Sequence, residues 1–243
     1  MGRVIYHTAT QLFIIPVAYF LYAYPSWWIA PGIMLSFIMG VYGFSIGMHH
    51  TFTHPTFSFP RTTEKALAIL STLSMLVSPI DWSATHVEHH RFTDTEKDPH
   101  SKKNPQFTSQ WKRYLYYFHG SSTARPLRRL VRDSFQKWLR KNYWLVILSH
   151  PLLALLVGGV NGLVYLWMLP LTYVNFVITV LNTFAHSGSF NGKNNARNNL
   201  FMKLVTIGDG NHIQHHDDSS VGELHHFFAN RIGNVNRTFS ISR

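Results

Sequence analysis

Histidine spacing is the feature of this sequence that could carry chemistry. His86, His89 and His90 stand at positions i, i+3 and i+4, so a helix would place their imidazole rings on one face. The same spacing recurs later in the chain, and a further pair follows a long apolar segment; these sets are His212, His215, His216 and His49, His54. Neutral imidazole is a common metal ligand, so the repetition predicts a metal centre built from histidines.

A ninth histidine, His186, follows Asn182 by four residues at the end of another apolar segment. Nine histidines are more than one metal ion can coordinate, and we therefore expect two ions. The remaining histidines lack a ligand spacing and are interpreted as structural; they include His7, His119, His150, His225 and His226.

The ligand types narrow the chemistry. The chain has no cysteine, which excludes thiolate zinc sites and iron–sulfur clusters. A structural zinc site takes four ligands, and a two-metal hydrolase normally shows bridging carboxylates. Glu88, the carboxylate within the clusters, points away from the ligand face because it lies two residues after His86. A histidine-rich pair of metals beside apolar helices favours oxygen activation by iron on an alkyl chain.

Four apolar segments must position these clusters. They cover about residues 8–24, 27–48, 142–157 and 163–184, and the second is about 33 Å long as a helix, enough to cross a bilayer. Turn signals at 24–26 and 158–162 join them in pairs, which predicts two helical hairpins. The apolar stretch 66–80 is short for a span and carries Ser71, Ser74 and Ser78 on one face. We interpret it as an interfacial or re-entrant helix ended by Pro79.

The basic residues predict the orientation of this bundle. All 22 Lys and Arg lie at the N-terminus, in residues 49–141 or in residues 187–243, and neither hairpin turn has one. Positive residues favour the cytoplasmic side, so we expect the histidine clusters and both termini there. The net charge of +11 is explained in the same way, since no nucleic-acid motif accompanies it. The prediction is an integral, multi-pass, all-α membrane protein with one domain (1–243), four transmembrane helices and a cytoplasmic histidine-rich cap formed by 49–141 and 185–243.

The segment 91–141 holds thirteen Lys and Arg interleaved with aromatic residues. Such a surface is typical of contact with anionic lipid headgroups, and it would also suit an acidic protein partner. Both interpretations stay open. Arg128, Arg129 and Arg132 are the candidate docking residues for such a partner.

The order of these clusters resembles the membrane fatty-acid desaturases of the stearoyl-CoA and acyl-lipid type. The shared order is His-x4-His, His-x2-His-His, Asn-x3-His and His-x2-His-His, over residues from about 30 to 216. Further matching stretches are Pro79-Ile80-Asp81-Trp82, Asp94, Asp98-Pro99-His100, Arg197-Asn198-Asn199 and Gly208-Asp209-Gly210-Asn211. Position 50 departs from the family pattern, because it is His where Arg or Lys is usual.

The resemblance implies a four-helix membrane bundle with a cytoplasmic cap, two irons and a cis double bond, of the carbon-9 type, introduced into an acyl chain with O2. By position, the first iron would be bound by His49, His54, His86, His90 and His215. The second would be bound by His89, His186, His212 and His216, with Asn182 acting through water. Candidate residues for orienting the imidazoles are Asp81, Asp94, Asp98, His100 and Asp209.

The same resemblance implies an acyl-lipid, acyl-CoA or acyl-ACP substrate. It also implies a separate electron donor, a ferredoxin or cytochrome b5, since the chain has no haem, flavin or cluster motif of its own. Two alternatives remain open from the sequence. One is another histidine-box oxygenase, such as a lipid hydroxylase, ketolase or alkane monooxygenase. The other is a non-catalytic metal-binding membrane protein.

Overall fold

The computed structural model describes residues 2–99, 127–186, 196–206, 210–217, 223–232 and 236–237. Within these ranges the chain is predominantly helical, with a single antiparallel pair of two-residue strands, β1 (Phe57–Ser58) and β2 (Asn236–Arg237). The α-helices are α1 (Gly2–Thr10), α2 (Ile14–Ala23), α3 (Ile29–Ile38), α4 (Arg61–Met75), α5 (Pro79–Phe92), α6 (Leu127–Arg132), α7 (Ser134–Lys141), α8 (Tyr143–Gly162), α9 (Leu169–Val180), α10 (Leu200–Val205), α11 (His212–Asp217) and α12 (Glu223–Ala229). A 3₁₀ turn (Gln11–Phe13) links α1 to α2, and π-helical segments occupy Met39–Thr53, Leu163–Met168 and Leu181–Ala185.

Two helical stretches are long and apolar enough to cross a membrane, Ile29–Thr53 and Tyr143–Val180. A third span results if α4 and α5, which meet at an angle of 71°, are counted together. The segment Thr8–Ala23 is apolar but shorter. The described residues therefore contain two or three candidate spans by length and composition.

The stretch Tyr143–Val180 is not one straight helix, because the chain reverses direction within it. Gly159 has φ 57° and ψ −138°, a conformation outside the α region that glycine adopts readily. The Nε2 atom of His150 lies 2.9 Å from the carbonyl oxygen of Leu166, although sixteen residues of straight helix would separate them by about 24 Å. α8 therefore packs back on the helix that follows it, at the glycine-rich turn 158–162.

The π-helical segment Met39–Thr53 lies against α4 across an interface of small residues. Ser71 donates a hydrogen bond of 2.7 Å to the carbonyl of Gly43, and a Cβ atom at Gly43 would collide with the side chain of Ser74. Ser71, Ser74 and Ser78 are all buried. Ser71 and Ser74 of α4 thus pack on protein, and the interfacial or re-entrant position expected for this helix stays a prediction.

The break between α4 and α5 is fixed by local geometry. α4 is followed by its cap residue Leu76, which is left-handed with φ 53° and whose carbonyl accepts a hydrogen bond of 2.7 Å from Tyr143. Ser78 then caps α5 by accepting from the backbone N–H of Asp81, and Pro79 is the first residue of α5. Pro79 therefore starts the second helix, whereas the first ends four residues earlier, at Met75.

Candidate metal centre

The π-helical backbone explains how His49 and His54 come together. The N–H of His54 donates to the carbonyl of His49 at 2.9 Å, which closes an i to i+5 turn. Thr51 and Thr53 donate their hydroxyl groups to the carbonyls of Ile46 and Met48, each five residues earlier and each at 2.7 Å. π-Helical turns are uncommon and often occur at functional sites. Here the turn gives the x4 spacing a shared face that an α-helix would not provide.

A first group of five histidines surrounds one point at the end of this segment. Their ligand-capable nitrogen atoms all lie within 4.8 Å of one another, and the members are His49, His54, His86, His90 and His215. The Nε2 atom of His86 is 3.1 Å from those of both His49 and His90. The Nε2 atom of His90 is also 3.2 Å from that of His215.

These contacts cannot all be hydrogen bonds. A neutral ring nitrogen is either one donor or one acceptor, so four nitrogens in a chain can form at most two hydrogen bonds, while three short contacts exist. Nitrogen ligands at right angles around a metal, with bonds of about 2.1 Å, would be about 3 Å apart. The arrangement therefore fits a metal ion better than it fits a network of neutral imidazoles.

A second group lies beside the first, on the adjoining side of α5. His89, His186 and His216 form a set of three nitrogens within the same 4.8 Å limit. His212 joins them, since its Nε2 atom is 2.9 Å from that of His186 and 3.1 Å from that of His216. All nine predicted histidines are thus gathered into two groups.

α5 connects the two groups. His86 and His90 turn toward the first group, and His89, on the adjoining side of the same helical turn, faces the second. α11 also serves both groups, because His215 belongs to the first while His212 and His216 contact the second. Two helices with i, i+3, i+4 spacing thereby contribute to two centres.

Carboxylates hold two rings of the second group. The Nδ1 atom of His89 lies 2.9 Å from Oδ1 of Asp98, and that of His186 lies 3.2 Å from Oδ2 of Asp94. Such contacts fix the ring orientation and leave Nε2 to bind a metal. Thr93 adds a contact that no sequence pattern indicated, since its hydroxyl is 3.4 Å from Nδ1 of His216.

The remaining residues that were predicted to orient imidazoles are Asp81, His100 and Asp209. Asp81 is buried, and its carboxylate accepts a hydrogen bond of 2.7 Å from Ser78 and pairs with Arg140 at 2.8 Å. Its predicted role in orienting an imidazole stays a prediction. His100 and Asp209 lie outside the described residues, and so does the side chain of Asn182.

Burial prepares the histidines for metal binding. It is the main cause that lowers the pKa of His90, His215 and His216 below the usual 6.5, and neighbouring histidines add to the effect. Their rings are therefore neutral at pH 7 and present lone pairs, as metal ligation requires.

Beyond the predicted set, His50 contacts His49 and His215 of the first group, and His225 packs on His50. His50 and His225 are each 1% exposed, and their ring centroids are 4.3 Å apart. The unusual residue type at position 50 was the available signal for His50. His225 had none, because its position after α11 matches no ligand spacing.

The three candidate docking arginines lie on α6, and all are exposed. Arg129 already has partners within the protein. It donates a hydrogen bond of 2.8 Å to the carbonyl of Thr51 and one of 3.2 Å to the carboxylate of Glu64. Arg128 and Arg132 lie at the surface of the same helix. Arg129 thus contacts the π-helical segment, whereas a docking role for Arg128 and Arg132 stays a prediction.

Comparison with known proteins agrees with this geometry. The sequence is 27% identical over 207 residues to icosanoyl-CoA 5-desaturase of Limnanthes douglasii, which covers 82% of this chain and 58% of that protein. It is 26% identical over 221 residues to hex-5-enoyl-[acyl-carrier protein] acetylenase of Moorena producens, and the match covers 81% of this chain and 68% of that protein. It is 27% identical over 196 residues to sn-1 stearoyl-lipid 9-desaturase of Anabaena variabilis, and the match covers 78% of this chain and 72% of that protein.

The matched region thus spans between about half and three quarters of the length of these relatives. The family model for fatty acid desaturase matches residues 25–226, which include all nine histidines of the two groups. This chain therefore belongs to the fatty acid desaturase family.

Proposed function

We propose that this chain is an O2-dependent, di-iron fatty-acyl desaturase. The observation that carries the proposal is the pair of buried histidine groups joined by α5, beside apolar helices that could admit an acyl chain. An O2-dependent desaturation removes two hydrogens from adjacent carbons, takes two electrons from an outside donor with two protons, and reduces O2 to two waters.

The residues present fit this metal content. The first ion would be held by His49, His54, His86, His90 and His215, and the second by His89, His186, His212 and His216, with Asn182 as the water-mediated ligand. Iron bound there would supply the oxidising power that an unactivated C–H bond requires. The chain's own carboxylates orient the ligands, since Asp94 and Asp98 hold the Nδ1 atoms of His186 and His89 in place.

We propose a single domain, 1–243, that crosses the membrane four times as two hairpins, with a cytoplasmic cap and both termini on the cytoplasmic side. Two facts support this topology. Apolar side chains of α8 face outward, with Leu156 73% exposed, as lipid contact would require. Tyr22 and Trp27, beside the first turn, are 90% and 70% exposed, and amphipathic aromatic rings favour membrane interfaces.

The substrate we propose is a long acyl chain, desaturated at carbon 9. The names of the relatives cover acyl groups attached to coenzyme A, to an acyl-carrier protein and to a lipid. Two further relatives, both from Arabidopsis thaliana, are named as Δ9 acyl-lipid desaturases. These names support the substrate class and leave the carrier to experiment.

The electron donor we propose is an acidic protein, ferredoxin or cytochrome b5, that docks on the exposed arginines of α6. Reversal of charge in Arg128→Glu with Arg132→Glu should lower donor-dependent turnover and reduce its salt sensitivity. Arg129→Glu should be made separately, because it also removes the contacts with Thr51 and Glu64. Unchanged turnover in the double variant would exclude this surface as the donor site.

The function is tested by expression in a desaturase-deficient host, with the donor supplied, followed by mass spectrometry of fatty-acid methyl esters. We expect a new monounsaturated species, which should be absent for His89→Ala. A hydroxylated product would indicate another histidine-box oxygenase. No modified acyl chain, from a protein that retains two irons, would contradict desaturation.

A further inference from the structure

His225 lies on α12, after the last predicted ligand, yet its ring packs against His50, the neighbour of His49 in the chain. Its side chain is buried, and its ring lies 4.3 Å from that of His50 with an angle of 41° between the planes. The two imidazoles therefore pack on each other inside the protein, although 175 residues separate them in sequence.

His50 in turn contacts two members of the first histidine group. Its ring centroid is 4.8 Å from that of His49 and 5.9 Å from that of His215. Phe57 packs on another side at 5.8 Å. Any movement of the His50 ring would therefore disturb two of the five members of the first group.

The backbone that carries His49 and His50 needs such support. π-Helical turns are rare and usually limited to a single turn, so the long segment Met39–Thr53 depends on neighbouring elements to hold it. α12 and β2 provide part of that support. Phe228 contacts Tyr42 with ring centroids 6.3 Å apart, and β2 pairs with β1 directly after the histidine turn.

We propose that His225 is a positioning residue for the first metal group, acting through His50. The packed pair fixes the π-helical turn that presents His49 and keeps it in register with His215. This role rests on the metal assignment in the proposed function, and it predicts an effect on one site and not on the other.

Cobalt binding tests the proposal without reference to activity. Purified protein of residues 1–243 in detergent is freed of metal and titrated with Co²⁺, and the visible absorption of each equivalent is recorded. His215→Ala and His186→Ala identify which binding step belongs to the first and the second group. The test variants are His225→Ala, which removes the packed ring, and His225→Phe, which retains a ring at that position. Phe227→Ala is the matched control, because this neighbour on α12 is 53% exposed.

We expect His225→Ala to weaken Co²⁺ binding at the first site by about 10–100-fold, the range typical when a residue supporting a metal ligand is lost. The second site should be unchanged, His225→Phe should bind within about threefold of wild type, and Phe227→Ala should match wild type. Two equivalents bound by His225→Ala with wild-type affinity would overturn the proposal. Equal loss at both sites with a lower melting temperature would also overturn it, as the sign of a purely structural role. Wild-type protein that binds fewer than two equivalents would instead contradict the two-metal assignment itself.

Discussion

The Nδ1 atom of His89 lies between the two carboxylate oxygens of Asp98, at 2.9 Å from Oδ1 and 3.0 Å from Oδ2. Both side chains are buried, and Asp98 also accepts the backbone N–H of Asp94 at 2.8 Å. The carboxylate is therefore held by the loop after α5 and in turn holds the ring of His89. It fixes the tautomer that leaves Nε2 for a metal.

Asp98→Asn should weaken metal binding at the second group by about 10–100-fold, because the charged partner that orients His89 is lost. Metal content of the purified protein, measured by mass spectrometry after dialysis, checks this. Glu96→Gln in the same loop is the control, since Glu96 is exposed. Full retention of both metals by Asp98→Asn would show that His89 does not need its carboxylate.

The placement of α5 between the two groups leads to a second prediction. Replacement of His86, His89 and His90 by alanine should empty both metal sites, since this one helical turn contributes to each. His186→Ala should damage mainly the second site. Iron per chain is the measurement, with about two expected for wild type, none for the triple variant and about one for His186→Ala. Equal loss in both variants would show that the sites do not load separately.

Gly43 provides a test of the interface that holds the π-helical segment. A methyl group at this position would overlap the Ser74 side chain and approach the carbonyl of Leu70 at 3.1 Å. Gly43→Ala should therefore destabilise the protein by about 1–3 kcal/mol through overpacking. The melting temperature in detergent reports the loss. Addition of Ser74→Gly should restore part of it, and a lack of any rescue would place the strain elsewhere.

Much of the metal centre could be predicted from sequence because its spacing is helical. His86, His89 and His90 have α-helical periodicity, and the structure places them on one turn of α5. Their division between two groups follows from the 100° step between adjacent residues, which turns His89 and His90 toward different sides. The ligand assignment itself remains a prediction that metal analysis must test.

The parts that could not be predicted depend on backbone geometry and long-range packing. The x4 spacing of His49 and His54 needs a π-helical turn, which local propensity does not specify. Asp81 resembled an orienting carboxylate in sequence, but the fold brings Arg140 to it. His225 reaches His50 only because α12 folds back over the π-helical segment. In each case the arrangement depends on contacts with elements distant in sequence, so no local pattern encodes it.

The stability of the metal-free protein should depend on pH through its buried histidines. Burial lowers the pKa of His90, His215 and His216 in the folded state, whereas each returns to about 6.5 on unfolding. Below pH 6.5 the unfolded chain therefore binds more protons than the folded chain. The free energy of unfolding therefore keeps its full value above that pH. It falls as the pH decreases, by up to about 1.4 kcal/mol per pH unit for each histidine.

The measurement is the melting temperature of metal-free protein between about pH 8.5 and about pH 5.5. We expect a plateau above about pH 7 and a steady decrease below it, since protonation of the unfolded state begins near the ordinary histidine pKa. His215→Gln with His216→Gln should flatten the decrease, because glutamine does not titrate, whereas an exposed control such as Glu96→Gln should not. A wild-type profile that stays flat over the whole range would mean that these rings take up protons equally well in the folded protein. It would then remove burial as the reason for their neutrality at the metal centre.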